Sequence, residues 1–282
     1  TAELLPVPRA GDRVGNYRLI EEIGSGGFGT VWMAEQEGPV PRKVALKVIK
    51  LGMDTLEVIE RFKLERQHVA LMDHPSIAKV FDAGSTDAGR PFFVMELVQG
   101  DPLTRFCDNH KLSIDQRLML FAQVCRAVQH AHQKGVIHRD LKPTNILVAM
   151  QDGTPEPKVI AFGIAKATKG PVEPGQFDSS GDQMVGTPVY MSPEQAAGDL
   201  DADTRCDVYS LGMLLYELLT GHTAFNQQEM QAMNFDEVRQ VICHQLPEKP
   251  SSLLRSLPPD TLRKVALQRQ TTPSALIRRV DG

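Results

Sequence analysis

Val136-Ile137-His138-Arg139-Asp140-Leu141-Lys142-Pro143-Thr144-Asn145-Ile146-Leu147 sets three chemically different groups in one short connection. An apolar pair leads into a tight polar loop and an apolar run leads out, so Asp140, Lys142 and Asn145 sit between buried segments. The carboxylate is an acceptor for a proton, the ammonium a partner for a phosphate, and the amide carbonyl a ligand for a hard cation. A solvated loop would need no such combination.

Upstream of this block the pattern is helical. Ser113 with Gln116 three residues on forms a capping box, Ile114, Leu118, Phe121, Cys125 and Val128 follow at helical spacing, and Lys134-Gly135 supplies a stop. Downstream, Val208 to Leu219 is apolar nearly all round, which predicts a helix at the centre of the second half. Before Gly100 the pattern belongs to strands. YRLIEEI from Tyr17 and TVWMAEQ from Thr30 flank a glycine cluster, VALKVI from Val44 alternates, and FFVMELV from Phe92 is short and apolar. The change near Gly100 predicts a two-lobed α+β architecture, residues 17–99 and 100–282, with a cleft at the joint and a loose arm over 1–16.

Two features of the first lobe carry chemistry. Gly24-Ser25-Gly26-Gly27-Phe28-Gly29-Thr30-Val31 reads G-x-G-x-x-G-x-V, in which glycines let backbone amides approach a phosphate. A dinucleotide-binding turn would open a helix after its last glycine. Here a strand follows, so the glycines form a lid over phosphates or simply a flexible hairpin tip. On VALKVI, Ala45, Lys47 and Ile49 share one face, which puts an ammonium among apolar neighbours. In the next segment Val58, Phe62, Glu65, Val69 and Met72 recur at helical spacing, so Glu65 lies on an apolar stripe and needs a cation, for which Lys47 is the candidate.

With Met95-Glu96-Leu97-Val98, Gly186-Thr187-Pro188, Tyr190-Met191-Ser192-Pro193-Glu194 and Asp207-Val208-Tyr209-Ser210-Leu211-Gly212, these motifs stand in one order. From about Tyr17 to Gly221 that order resembles the protein-kinase superfamily, specifically the eukaryote-like serine/threonine kinases of bacteria. The resemblance implies a bilobal fold and transfer of the ATP γ-phosphoryl group to protein Ser/Thr hydroxyls. It implies that Ile23 and the glycine loop cover the ATP phosphates, while Lys47, held by Glu65, contacts the α- and β-phosphates. Val31, Ala45 and Leu147 would sandwich adenine, Met95 would be the gatekeeper, and Glu96 and Val98 would offer backbone groups to the base. Asp140 would orient the hydroxyl and accept its proton, Lys142 would neutralise the γ-phosphate, and Asn145 would hold Mg²⁺. Lys142 and Thr187 match the serine/threonine branch. Arg139 implies switching by a phosphorylated residue of the activation segment 161–194, with Thr168, Ser179 and Ser180 as open alternatives.

Two departures stand out. Lys158-Val159-Ile160-Ala161-Phe162-Gly163 has Ala161 where the family has the metal-binding Asp of Asp-Phe-Gly, and a methyl group coordinates nothing. The expectation is weakened Mg²⁺ binding and severely reduced transfer. The intact Lys47, Glu65, Asp140, Lys142 and Asn145 favour a recent or deliberate single substitution over gradual decay. The alternative is a pseudokinase, a nucleotide-binding scaffold or allosteric signalling module. A small-molecule phosphotransferase of similar fold is disfavoured by the Gly-Thr-Pro and Ser-Pro-Glu segments. The second departure is the end of the chain, where Phe235 to His244 reads as a helix and Pro259 to Asp281 has weak periodicity. There the family's arginine partner for Glu194 has no clear counterpart; Arg263, Arg278 and Arg279 are available. Either the helical lobe is truncated or its end has diverged.

Composition limits the rest. The 282 residues are 41% hydrophobic and 23% charged with a formal charge of −4, which suits a globular protein and disfavours nucleic acid as a partner. No apolar run is long enough to span a membrane. The first residues lack an apolar signal core, so the chain reads as a segment of a longer one. Cys107, Cys125, Cys206 and Cys243 are scattered and far from any histidine at ligand spacing, which predicts no zinc site and a reducing, cytoplasmic setting. His68, His74, His110, His222 and His244 read as surface or core residues.

Overall fold

The computed structural model describes residues 8–26, 29–38, 41–49, 72–162, 188–199 and 203–281. Gly27, Phe28, the stripe from Val58 to Val69 with Glu65, Gly163, the three candidate phosphorylation sites, Gly186 and Thr187 lie outside them. The first lobe is a six-stranded antiparallel sheet in the order β1-β2-β3-β4-β6-β5. Its strands are β1 (Arg13–Val14), β2 (Tyr17–Gly26), β3 (Gly29–Gln36), β4 (Arg42–Ile49), β5 (Val80–Ser85) and β6 (Pro91–Glu96). Register shifts between Leu19 and Glu21 and between Glu22 and Gly24 curl β2 against β3. One face packs Val14, Tyr17, Leu19, Trp32, Val44, Leu46, Val48, Phe92 and Val94 together. The other carries Ala45, Ile49, Phe93 and Met95 towards the second lobe.

Residues 8–16 are not the loose arm expected. Val14 pairs with Tyr17 and is buried, and the Gly11 amide donates to the Leu19 carbonyl at 2.9 Å. The apolar Val14 supplies an anchor that the surrounding prolines and glycines concealed.

A second sheet of β7 (Asp101–Pro102), β8 (Ile146–Gln151) and β9 (Thr154–Val159) opens the helical lobe. Its helices are α1 (Leu103–Asn109), α2 (Ile114–Gln133), α3 (Pro193–Ala196), α4 (Thr204–Thr220), α5 (Gln227–Ala232), α6 (Phe235–His244), α7 (Pro250–Ser256), α8 (Pro259–Gln268) and α9 (Pro273–Val280). Helix α2 begins with the expected capping box and ends at Lys134, with Gly135 left-handed at φ +75°. Its buried stripe differs from the expected one: Ile114, Arg117, Leu120, Val124, Ala127, Val128 and Ala131 face inward, whereas Leu118 is 37% exposed and Phe121 and Cys125 only half-buried. Arg117 can take a core position because its guanidinium donates to the carbonyls of Leu112, Cys107, Leu218 and Gln268 and meets Asp108 at 2.7 Å.

Helix α4 is central, with Leu214 and Leu218 in the core around α2 and Met213 in a second cluster with α6. It is not buried all round, since Val208 is 61% exposed. The weakly periodic end folds as α8 and α9, whose Val265, Ala266 and Leu276 pack with Leu254 of α7 on Ile114. Arg263 pairs with Asp260 and Arg279 with Asp115, so neither serves Glu194.

Candidate functional site

The upper wall of the cleft comes from alternation in three strands. Val31 is opposite Lys47 in the β3–β4 ladder, and Ala45 is opposite Met95 in the β4–β6 ladder. These four residues therefore share the inner face. Met95 and Ala45 are buried, with Val31, Leu97 and Ala161 packed against their cluster. The glycine hairpin closes by Gly24–Val31, Ser25–Thr30 and Gly26–Gly29 pairing, below a tip that is not described. Gly29 has to be glycine, because a Cβ there would lie 2.2 Å from the Val48 carbonyl oxygen. Ile23 is largely exposed at the rim.

The lower wall is the loop after α2. The Lys142 ammonium sits 2.9 and 3.1 Å from the two Asp140 carboxylate oxygens. Asn145 Nδ2 donates to the Asp140 carbonyl at 2.7 Å and to its carboxylate at 3.0 Å. Both amide hydrogens are thus committed, which leaves Oδ1 as the remaining polar atom of that side chain. Leu147 follows on β8 and is half-buried. Burial lowers the Lys47 pKa to about 8, Asp140 pulls it back up and Lys142 lowers it again. The Lys47–Glu65 contact lies outside the described residues.

Ile160 ties the next segment to this loop: its amide donates to the Asn145 carbonyl and its carbonyl accepts from His138 Nε2, both at 2.9 Å. His138 Nδ1 accepts the Asp140 amide at 3.2 Å, so the ring is held as the neutral Nε2–H tautomer, its edge against Phe162. Ala161 follows directly, at φ +67°. The Mg²⁺ expected from the resemblance would find there the neutral oxygen of Asn145 and a methyl group. Among the described residues no group of three or more His, Cys, Asp or Glu gathers to hold a metal. A hard dication wants one or two carboxylates beside the phosphates, so these residues do not fit a fully held Mg²⁺.

Sequence reasoning passed over the groups that hold the loop. Asp207, at the start of α4 and fully buried, accepts the His138 amide, the Arg139 amide and His132 Nε2–H at 2.8, 2.8 and 2.7 Å. Burial alone would raise its pKa; the His132 hydrogen bond and the two amides of His138 and Arg139 overcome that and leave it below the ordinary carboxylate range. Gln195 Nε2 donates to the Arg139 carbonyl at 2.7 Å while its Oε1 accepts the Ser192 amide. The Ser192–Gln195 spacing is a capping box, a signal the sequence did contain. Lys158 on β9 reaches the Glu96 carboxylate at 2.7 Å.

Comparison with known proteins identifies the family and the fold. A family model described as the protein kinase domain matches residues 17–278. The serine/threonine-protein kinase Pkn1 of Myxococcus xanthus is 37% identical over 250 residues, 87% of this chain and 34% of its own length. The serine/threonine-protein kinase PknA of Mycobacterium tuberculosis is 37% identical over 278 residues, 96% of this chain and 60% of its own. The chain therefore spans between a third and three-fifths of the length of these relatives. The crystal structure of the M. tuberculosis PknI kinase domain superposes with a TM-score of 0.64 at 24% identity, covering 98% of both chains, and shares the fold. With residues 17–278 matched, this chain belongs to the protein kinase domain family.

Proposed function

We propose that the chain is the catalytic domain of a cytoplasmic serine/threonine protein kinase, ATP-dependent, with phosphoryl transfer weakened at Ala161. The observation that carries this reading is geometric: Val31, Ala45, Lys47 and Met95 share the inner face of the strand lobe, Ala161 packs against that face, and the loop after α2 holds Asp140, Lys142 and Asn145 hydrogen-bonded together. Such a pair of walls suits a triphosphate. Val31, Ala45 and Leu147 would enclose adenine with Met95 behind it. The Glu96 amide already donates to the Lys79 carbonyl at 2.8 Å, which leaves the Glu96 carbonyl, with Val98, for the base. The glycine hairpin would cover the phosphates and Lys47 would neutralise the α- and β-groups.

Asp140 would take the proton from a substrate Ser or Thr hydroxyl as its oxygen bonds to the γ-phosphorus. The bond from that phosphorus to the β–γ bridging oxygen breaks and ADP leaves. Lys142 would leave Asp140 for the γ-phosphate, which frees the carboxylate for the hydroxyl. Kinases use Mg²⁺ with ATP in general, and Asn145 is the residue here with an oxygen to offer it. Replacing a group that stabilises developing charge typically costs ~10²–10³ in rate, the loss proposed for Ala161.

The test is radiolabelled phosphate transfer to a basic protein before and after Ala161→Asp, with calorimetric ATP titration with and without Mg²⁺. The expected result is transfer rising ~10²–10³-fold in the variant, and Mg²⁺ strengthening ATP binding more in the variant than in the parent. The second reading, a nucleotide-binding scaffold, is favoured by the methyl group at 161. No transfer in the variant despite ATP binding would establish it. Turnover of aminoglycoside or choline in place of protein would establish a small-molecule phosphotransferase instead.

A further inference from the structure

Glu96 ends β6 at the joint between the lobes, and its carboxylate is gripped by Lys158 of β9 and by the Lys79 amide. Lys158 Nζ approaches one carboxylate oxygen at 2.7 Å and the other at 3.0 Å, and the Lys79 amide lies 3.3 Å from the second. Both charged side chains are largely shielded, 19% exposed for Lys158 and 28% for Glu96. Lys158 itself is placed by the β8–β9 ladder. It stands directly opposite Leu147, whereas the neighbouring Ile146–Val159 pair is fully buried in the helical core. Because side chains alternate across a strand, Lys158 and Leu147 share the face that looks away from that core. The lysine stem thus lies beside the residue read as the adenine floor, and its ammonium holds the residue read as the adenine edge.

We infer that Lys158 is a positioning residue for the nucleotide base, fixing the Glu96 backbone against adenine through the Glu96 carboxylate. The inference rests on the reading of the cleft as an ATP site. Lys158 touches neither phosphate nor hydroxyl in this role. Without its ammonium, the largely shielded Glu96 carboxylate turns to water for solvation and keeps only the Lys79 amide of the two groups that hold it, so the residue is less firmly placed. The effect is confined to the base: phosphates held by Lys47 and the glycine hairpin do not depend on this pair.

The experiment is calorimetric titration of ADP, GDP and inorganic tripolyphosphate into the unaltered chain, Lys158→Met, Lys158→Arg, Glu96→Gln and the Lys158→Met/Glu96→Gln double variant. In Lys158→Met, ADP affinity should fall about tenfold, equivalent to ~1.4 kcal/mol. The preference for ADP over GDP should shrink while tripolyphosphate affinity holds. Lys158→Arg should restore ADP binding. Glu96→Gln should reproduce the base-selective loss, and the double variant should lose no more than either single one. Equal ADP affinity in Lys158→Met overturns the inference. So does a parallel loss of ADP and tripolyphosphate, which would mark Lys158 as a general tie between lobes. Failure of the unaltered chain to bind ADP would overturn the ATP reading itself and this inference with it.

Discussion

Ala161 occupies a left-handed backbone at φ +67°, a region that costs a side chain with a Cβ about 1–2 kcal/mol and that Asp, Asn and Gly tolerate best. The backbone therefore suits the residue the family has there better than the one present. Strain and lost coordination can be separated, because glycine relieves the first without repairing the second. Ala161→Gly should raise the melting temperature by up to about 2 °C, unfolded-chain entropy offsetting part of the gain, and leave phosphate transfer as low as in the parent. A gain in transfer with glycine would mean that strain, and not the missing oxygen, limits the reaction. Lys47 gives a second prediction. Its pKa of about 8, depressed first by burial, means that the free protein loses this positive charge within an accessible range. ADP affinity should weaken as pH rises through about 8, by at most tenfold per unit for one ammonium. Lys47→Arg, which stays protonated, should flatten that dependence. A flat profile in the parent would place the phosphates elsewhere.

Helix α2 carries the loop with Asp140, and its start rests on one reciprocal cap in which the Gln116 amide donates to Ser113 Oγ and the Ser113 amide to Gln116 Oε1. Ser113→Ala should cost ~1 kcal/mol and lower the melting temperature by about 2–4 °C with ADP binding unchanged. Reduced ADP affinity at equal stability would show that the cap also tunes the loop. The start and stop of this helix were legible because caps are local chemistry. The inward face was not, since Arg117 is core only once carbonyls from Cys107, Leu218 and Gln268 surround it. Hydropathy spacing cannot count hydrogen bonds that distant segments will supply. The same holds for α8 and α9, whose few buried apolar residues are joined by buried Arg269, donating to Leu219 at 2.6 Å and to Leu218 at 2.9 Å.

Across the whole molecule, the change from strand to helical patterning near Gly100 and the alternation of VALKVI were enough to anticipate two lobes and the strand bearing Lys47, because each pattern is contiguous. Partners separated by sixty or seventy residues, such as Glu96 with Lys158 or His138 with Asp207, had no local signal. These long-range contacts bury titratable groups in both lobes' supports and make the fold acid-sensitive. Burial lowers the pKa of His74 against His130, His138 in the loop after α2 and His222 after α4, despite the charges that pull His138 the other way. As pH falls through about 6.5, the unfolded chain takes up protons at these positions that the folded chain refuses, so folding stability drops. Glu217 works in the opposite sense. Burial raises its pKa against the Tyr190 hydrogen bond, so protonation favours the folded state as pH falls towards the carboxylate range. Asp207, held below that range, stays ionised throughout. The melting temperature should accordingly be lower at pH 5.5 than at pH 7.5, and Glu217→Gln, which removes the opposing proton uptake, should widen the gap. Scanning fluorimetry at the two pH values reads both. An unchanged or higher melting temperature at pH 5.5 in the Gln variant would mean that these histidines accept protons within the fold and that the loop around Asp140 relaxes to let them.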